Sequence, residues 1–180
     1  MTKRRGDLLA LFGTLLMVLV ACGGGTQVSP TATAVLKDKD GTVAGNAQFS
    51  EDENGVSITA TVLQGLEPGE YGIHVHEKGE TTPDFEAAGK HFNPTGAQHG
   101  FNNPEGPHAG DLENIIVRED GTADYQATTD RVTLSGGESS LLDSDGSALV
   151  IHAQADDYQT DPSGESGGRI ACAVIERQQQ

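Results

Sequence analysis

The chain is short and strongly acidic, and both properties limit what it can do. It has 180 residues, with 27 Asp and Glu against 11 Lys and Arg, so its formal net charge is −16 at pH 7. This length suits one domain plus an appendage. So acidic a chain has no electrostatic attraction for nucleic acid or for an anionic membrane surface, and we expect no nucleic-acid partner.

The N-terminus has the pattern of a signal peptide. Basic residues at positions 3–5 precede an uncharged, mostly apolar run from Leu8 to Ala21, which suffices for a signal-peptide core but is too short to span a bilayer. The run ends in Leu-Val-Ala-Cys at positions 19–22, which resembles a bacterial lipobox. This resemblance implies cleavage before Cys22 and lipid attachment to its sulfur. An ordinary secretory signal with a chance cysteine is the alternative.

We predict a signal peptide over residues 1–21, a flexible tether rich in Gly, Ser, Thr and Pro over 22–33, and one domain over 34–177. The domain would be exported and anchored by lipid to a bacterial membrane, on its periplasmic or cell-surface side. Export implies an oxidising compartment, yet Cys172 is the only other cysteine of the chain. With Cys22 lipidated, no disulfide can form within the chain.

The sequence after the tether is typical of an all-β domain. Short apolar alternations of period two are separated by Asp-Gly, Asn-Gly and Pro-Gly turn signals, and no credible helix follows Ala32. The pattern predicts an eight-stranded antiparallel Greek-key β-sandwich or flattened barrel with two long functional loops. The predicted strands cover residues 32–38, 43–50, 55–63, 70–77, 112–118, 122–129, 147–153 and 169–176.

The two long loops are residues 79–111 and 153–168, which lack sustained alternation. Loops of such length in a small domain are typically functional or disordered. The first one carries three histidines and Asp111 and has little apolar content. We therefore expect metal binding to supply its ordering energy, with disorder as the alternative.

Two histidines, His74 and His76, flank one β-branched residue in a predicted strand. Because successive strand side chains point to opposite faces, these two project from the same face and are near enough to share one metal ion. Tyr71, Ile73 and Val75 would then point into the core. The remaining histidines of the chain are His91, His99, His108 and His152.

Six motifs together resemble the Cu/Zn superoxide dismutase family over nearly all of residues 34–176. They are Gly-Ile-His-Val-His-Glu-Lys-Gly at 72–79, Gly-Lys-His-Phe-Asn-Pro at 89–94, His-Gly at 99–100, His-Ala-Gly-Asp-Leu at 108–112, Val-Ile-His at 150–152 and Gly-Arg-Ile-Ala-Cys at 168–172. The resemblance implies copper and zinc cofactors. It also implies an enzyme that converts superoxide anion to dioxygen and hydrogen peroxide.

The resemblance further implies a role for each histidine, with His91 shared by both metals. Four imidazoles suit Cu(II), whereas three imidazoles and one carboxylate suit a closed tetrahedral zinc site. The implied copper ligands are His74, His76, His91 and His152, and the implied zinc ligands are His91, His99, His108 and Asp111.

Two further residues match functional positions of the family. Asp156 matches a carboxylate that links ligands of the two metal sites, and such outer partners fix the orientation of metal-bound imidazoles. Arg169 matches the arginine that docks the anion, while His91 would supply one proton to the peroxide product. The alternatives are a solvated acidic loop for Asp156 and a surface position for Arg169.

The chain departs from the family in two places. In the family, a disulfide usually links the first long loop to the final strand. Cys172 matches the cysteine of the strand, but the position of the loop cysteine is occupied by Phe85. We expect Phe85 to pack near Cys172 and to replace part of that constraint. Residues 153–168 contain no lysine or arginine that could guide the anion, so we expect a slower enzyme than well-steered relatives.

Two other functions stay open at this point, and the oligomeric state is not indicated. One is a non-catalytic module that binds or delivers copper and zinc. The other is an adhesive or structural β-sandwich, which would leave the histidine spacing unexplained. Arg169 favours the enzyme, because a delivery module has no need for an anion-docking group.

Overall fold

The computed structural model describes residues 29–178. The predicted signal peptide, Cys22 and most of the predicted tether lie outside these residues. Among the described residues, no helix has both the length and the apolar character needed to cross a bilayer. The first strand begins at Thr31 and pairs with its neighbour from that residue onward. Residues 31–33, which the predicted tether included, belong to this first strand, and Ala32 among them is buried in the apolar core.

The fold is all-β, as predicted, and every paired strand is antiparallel. The strands are β1 (Thr31–Asp38), β2 (Val43–Asp52), β3 (Gly55–Val62), β4 (Gly69–Tyr71), β5 (Ile73–His76), β6 (Ile115–Val117), β7 (Ala123–Thr129), β8 (Ala148–His152), β9 (Arg169–Val174) and β10 (Glu176–Arg177). An eight-stranded sheet has the order β5-β8-β9-β1-β2-β3-β7, with β10 beside β1, and β4 and β6 form a second, two-stranded sheet.

The period-two alternation of the sequence accounts for the core. In β3, Val56, Ile58 and Val62 are fully buried, while the hydroxyl residues between them are more exposed. Leu36 of β1 and Phe49 of β2 join the same apolar cluster. Apolar burial of this kind contributes roughly 25 cal/mol per Å², and it holds the sheet that carries the histidines.

The segment predicted as one strand over 70–77 is two strands that belong to different sheets. β4 pairs with β6, whereas β5 pairs with β8. The change occurs at Gly72, whose N–H donates to Gln154 and whose carbonyl accepts from His152, both at 2.8 Å. A Cβ at this position would lie 3.0 Å from the Cβ of Ser166. Glycine at position 72 therefore lets the second long loop, residues 153–168, approach the start of β5.

A short 3₁₀ helix, η1 (Phe85–Ala88), is a second difference from the sequence-based expectation. Asp84 caps it, because its side chain accepts a hydrogen bond from the backbone N–H of Glu86. Four residues are too few to show a helical repeat in the sequence. η1 matters for function because it lies in the first long loop beside the start of β9.

Candidate metal centre

Strand β5 places His74 and His76 on one face, as predicted. Ile73 and Val75 on the opposite face are buried in the apolar core, and Tyr71 packs against that core while partly exposed. Both histidines are buried as well. Because β5 is buried on both faces, the two imidazoles face a compartment inside the protein rather than solvent.

The first long loop reaches this compartment by pairing with the free edge of β5. Val75 donates to Gly110 at 2.9 Å and accepts from Phe92 at 2.8 Å. These bonds set His91 opposite His76 in an isolated bridge. Gly110 is required there, since a Cβ would lie 2.3 Å from the carbonyl oxygen of Val75. The loop is thus placed by backbone pairing of the kind that builds sheets.

His76 and His152 turn unprotonated nitrogens toward one another. The Nδ1 of His76 donates to the carbonyl of Gly89 at 3.0 Å, and the Nδ1 of His152 donates to that of Gly167 at 3.1 Å. A neutral imidazole then has a lone pair on Nε2, and the two Nε2 atoms lie 3.3 Å apart. Two such lone pairs are best satisfied by a cation between them.

Two more nitrogens in the same compartment find no partner among residues 29–178. The Nδ1 of His74 and the Nε2 of His91 are buried without a hydrogen bond to any of these residues, although leaving one buried polar group unpaired costs about 1–3 kcal/mol. One nitrogen from each of four rings lies within 4.8 Å of the others, and the group could hold a metal ion. Its members are His74, His76, His91 and His152. The donor set therefore fits a metal that favours nitrogen ligands.

A second group surrounds one oxygen of Asp111. Its Oδ1 lies 2.9 Å from the Nδ1 of His91, 3.1 Å from that of His99 and 3.3 Å from that of His108. The last two nitrogens are close but lack a well-aligned hydrogen bond. The Oδ2 of Asp111 accepts from the backbone N–H groups of Gly100 and His108, each at 2.9 Å. Three nitrogens and one fixed oxygen match a closed zinc-type donor set.

His91 belongs to both groups, as the sequence predicts. Its Nδ1 faces Asp111, whereas its Nε2 faces the group built on β5 and β8. The ring centroid lies 4.1 Å from that of His74 and 5.5 Å from that of His108. One imidazole ring can therefore contact two ions, one through each nitrogen.

Asp156 connects the two groups from the second long loop. Its buried carboxylate accepts from the Nε2 of His74 at 2.7 Å, the Nε2 of His99 at 2.9 Å and the backbone N–H of Tyr158 at 2.6 Å. These bonds direct the Nδ1 atoms of both histidines toward the two groups. Gly164 packs so closely that any Cβ there would overlap the carboxylate. Asp156 is therefore no part of a solvated acidic loop.

Sequence reasoning missed Asn114, which holds the backbone of Asp156. The side-chain amide of Asn114 donates to the carbonyl of Asp156 at 2.9 Å and accepts from its N–H at 2.8 Å. Its own backbone N–H donates to the hydroxyl of Tyr158 at 2.8 Å. No local pattern in the sequence indicates this role, because the partners lie more than forty positions apart.

Burial keeps most of these imidazoles neutral. It lowers the pKa of His74 to about 3, against the opposing hydrogen bond to Asp156, and the pKa of His152 to about 4. The pKa values of His76 and His91 are lowered for the same reason, and at His76 the neighbouring charges add to the effect. Neutral imidazoles offer free lone pairs at physiological pH, as metal ligands must.

His99 behaves differently because two carboxylates face it. Burial alone would lower its pKa, but the close carboxylates of Asp111 and Asp156, the second of which accepts a hydrogen bond from its Nε2, outweigh burial and raise the pKa to about 9. The same pairs act on the acids. Burial would raise the pKa of Asp111, yet the close ring nitrogens of His108, His91 and His99 hold that pKa well below its usual range. Both carboxylates therefore stay ionised and balance cationic charge.

Arg169 opens β9 opposite His152 and is mostly buried, with 13% of its side chain exposed. Its guanidinium donates to the carbonyl oxygens of Phe85 and Gly89. The carbonyl of Gly89 also accepts from His76, so Arg169 lies beside the first histidine group. The alternative of a surface position does not fit this burial.

Phe85 packs where we expected it. The partly buried ring contacts an apolar cluster formed by Ala88, Ala148, Val150 and Cys172. Cys172 is a buried thiol without a disulfide partner in the described part of the chain, and burial raises its pKa to about 11. Apolar packing thus joins the first long loop to β9 at the position where the family that the sequence resembles has a disulfide.

Comparison with known proteins agrees with this geometry. A family profile described as copper/zinc superoxide dismutase matches residues 43–175. The chain is 47% identical to Cu-Zn superoxide dismutase 2 of Aquifex aeolicus over 147 residues, which are 80% of this chain and 85% of that one. It is 44% identical to the Cu-Zn superoxide dismutase of Caulobacter vibrioides over 149 residues, covering 81% and 85% of the two chains. The crystal structure of a superoxide dismutase-like protein from Bacillus subtilis superposes with a TM-score of 0.75 at 43% identity, covering 79% of this chain and 96% of that one.

Proposed function

The chain belongs to the copper/zinc superoxide dismutase family, and from this premise we propose that it dismutates superoxide at a centre whose two metals share His91. The observation that carries the proposal is the pair of donor groups meeting at that one ring. The family is one of oxidoreductases that use copper and zinc, and the donor atoms suit those two metals.

We assign one metal to each donor group. Copper would be held by the Nδ1 of His74 and by the Nε2 atoms of the other three histidines. The Nε2 of His74 and the Nδ1 atoms of His76 and His152 are already hydrogen-bonded, and the Nδ1 of His91 faces the second donor group. The copper ligands are thus His74, His76, His91 and His152. Zinc would be held by the Nδ1 atoms of three histidines and the Oδ1 of the carboxylate, namely His91, His99, His108 and Asp111.

The chain's own residues would perform the remaining steps. Bound copper would exchange one electron with each of two superoxide ions, and zinc would stay redox-inert. Arg169 presents a fixed cationic fork for the incoming anion, and its carbonyl partners keep it from turning away. When copper does not occupy it, the Nε2 of His91 can hold a proton, while the Nδ1 of the same ring stays fixed beside Asp111. That proton and one from solvent convert the reduced oxygen species to hydrogen peroxide, while the oxidised one leaves as dioxygen.

Superoxide consumption and metal content, measured together, test the proposal. We expect the protein to bind copper and zinc stoichiometrically and to consume superoxide. Arg169→Ile should keep both metals but lose most of the activity, and His91→Ala should lose metal as well. Stoichiometric copper without turnover would instead support a copper-delivery module. Absence of both metals after reconstitution would support a structural β-sandwich.

We also propose that the domain is exported and lipid-anchored through Cys22. The basic segment, the apolar run and the cysteine after Leu-Val-Ala support this. Mass spectrometry of the mature N-terminus should find Cys22 as the first residue, with diacylglyceryl on its sulfur. Cys22→Ser should abolish that mass and release the protein from membranes. An N-terminus at any other residue would contradict the proposal.

A further inference from the structure

Glu86 places a carboxylate beside the proposed docking group. Its Oε2 lies 3.5 Å from the Nη2 of Arg169. Among the residues that the structure describes, it is the one carboxylate within ion-pair distance of that guanidinium. It belongs to η1, the same short helix whose first carbonyl, at Phe85, accepts from Arg169.

The two partners differ in freedom of movement. Arg169 is held by two carbonyl oxygens and is 13% exposed, so it cannot follow a moving partner. The side chain of Glu86 is 74% exposed and accepts no other hydrogen bond among the described residues. An incoming anion can therefore displace the carboxylate from Arg169, but it must compete with it to do so.

The surrounding charges strengthen this competition. The loop at 153–168 contributes carboxylates and no cationic side chain, so no positive group there offsets Glu86. A negative charge at the entrance of an anion site lowers both the local concentration of the anion and its rate of encounter. Because the pair is partly in solvent, salt should screen the effect.

We propose that Glu86 limits the docking of superoxide by competing with it for Arg169. The proposal rests on the docking role assigned to Arg169 above. It makes Glu86 a rate-setting residue for the reaction, although the carboxylate neither binds metal nor transfers a proton.

Azide, a small anion of the same charge, tests this without relying on turnover. Its dissociation constant can be measured from the visible absorption change of the copper- and zinc-loaded protein, at about 0.01 M and about 0.5 M ionic strength. The variant is Glu86→Gln. Glu53→Gln is the matched control, since it removes one charge from the exposed turn between β2 and β3. Arg169→Gln measures the docking group itself.

We expect Glu86→Gln to bind azide about two- to fivefold more tightly than the wild type at low ionic strength. It should also show a higher rate constant for superoxide by a similar factor. At high ionic strength, both the ratio of dissociation constants and the ratio of rate constants between Glu86→Gln and the wild type should approach one. Glu53→Gln should stay near the wild type at both ionic strengths.

The variant Arg169→Gln distinguishes a failure of the proposed competition from a failure of the proposed docking role. If that variant binds azide more weakly while Glu86→Gln equals Glu53→Gln, the competition is refuted and the docking role stands. If Arg169→Gln binds azide as the wild type does, the docking role fails and the inference fails with it.

Discussion

Replacing Asp156 by asparagine should damage the copper group more than the zinc group. The Oδ1 of Asp156 accepts two hydrogen bonds, from His99 and from the backbone of Tyr158, whereas Oδ2 accepts one from His74. An amide keeps one acceptor oxygen, which should take the position that serves two donors. Its NH₂ group then faces His74, whose ring must move its proton from Nε2 to Nδ1. That proton occupies the lone pair proposed for copper.

The size of the effect follows from the bond that is lost. A hydrogen bond to a charged group contributes about 1.5–3 kcal/mol, and losing such an outer partner typically weakens metal affinity about 10- to 100-fold. We expect a loss of this size for copper in Asp156→Asn and a smaller one for zinc. Competition with chelators of known affinity measures both. Asp40→Asn, at an exposed turn, is the matched control. A loss confined to zinc, or equal for both metals, would refute the reasoning.

Three further predictions concern the loop, the surface and pH. Phe85→Cys should form a disulfide with Cys172 and raise the free energy of unfolding by about 2–4 kcal/mol; a free thiol at Cys172 in non-reducing mass spectra of this variant would contradict this. The rate of the wild-type enzyme should rise or stay flat as salt is added, because the loop at 153–168 lacks cations; a steep fall in stopped-flow assays would count against the expected lack of steering. Zinc binding should release about one proton near neutral pH, because the raised pKa of His99, about 9, means that this ring is cationic below that pH without metal. The zinc affinity should therefore rise with pH and level off above about pH 9, and calorimetry in buffers of different ionisation enthalpy would detect no released proton if the reasoning fails.

Much of the fold could be predicted because period-two burial leaves a direct mark on the sequence. The alternation in β3 is clear, since its buried aliphatic residues alternate with hydroxyl residues. The split between β4 and β5 could not be predicted in this way. Alternation runs through Gly72 unchanged, and only the pairing partners change there. Partner choice depends on residues distant in the chain, so it is not a property of the local pattern.

The site shows the same division between local and distant information. The geometry of a strand alone predicts that His74 and His76 share a face, and the structure places them so. The distant partners were matched through motif resemblance. Neither strand geometry nor motif resemblance predicted Asn114 and Gly164, because each acts through a spatial contact with Asp156. Residues that orient a ligand through another residue leave no spacing that a single sequence displays.

Arg169 also helps to hold the first long loop of this chain against β9. The non-covalent links between the first long loop and β9 include the packing of Phe85 on the cluster that contains Cys172 and the bonds from Arg169 to two loop carbonyls. The guanidinium proposed to dock the anion therefore also holds the loop that carries His91. Because its donors are already engaged with Phe85 and Gly89, the docking face is preset, and the anion meets it without a rearrangement of the loop. The same arrangement brings Glu86 to the docking group, since η1 cannot hold Arg169 without placing its second residue beside it. The acidic competitor is thus brought to Arg169 by the same short helix whose carbonyl fixes the guanidinium.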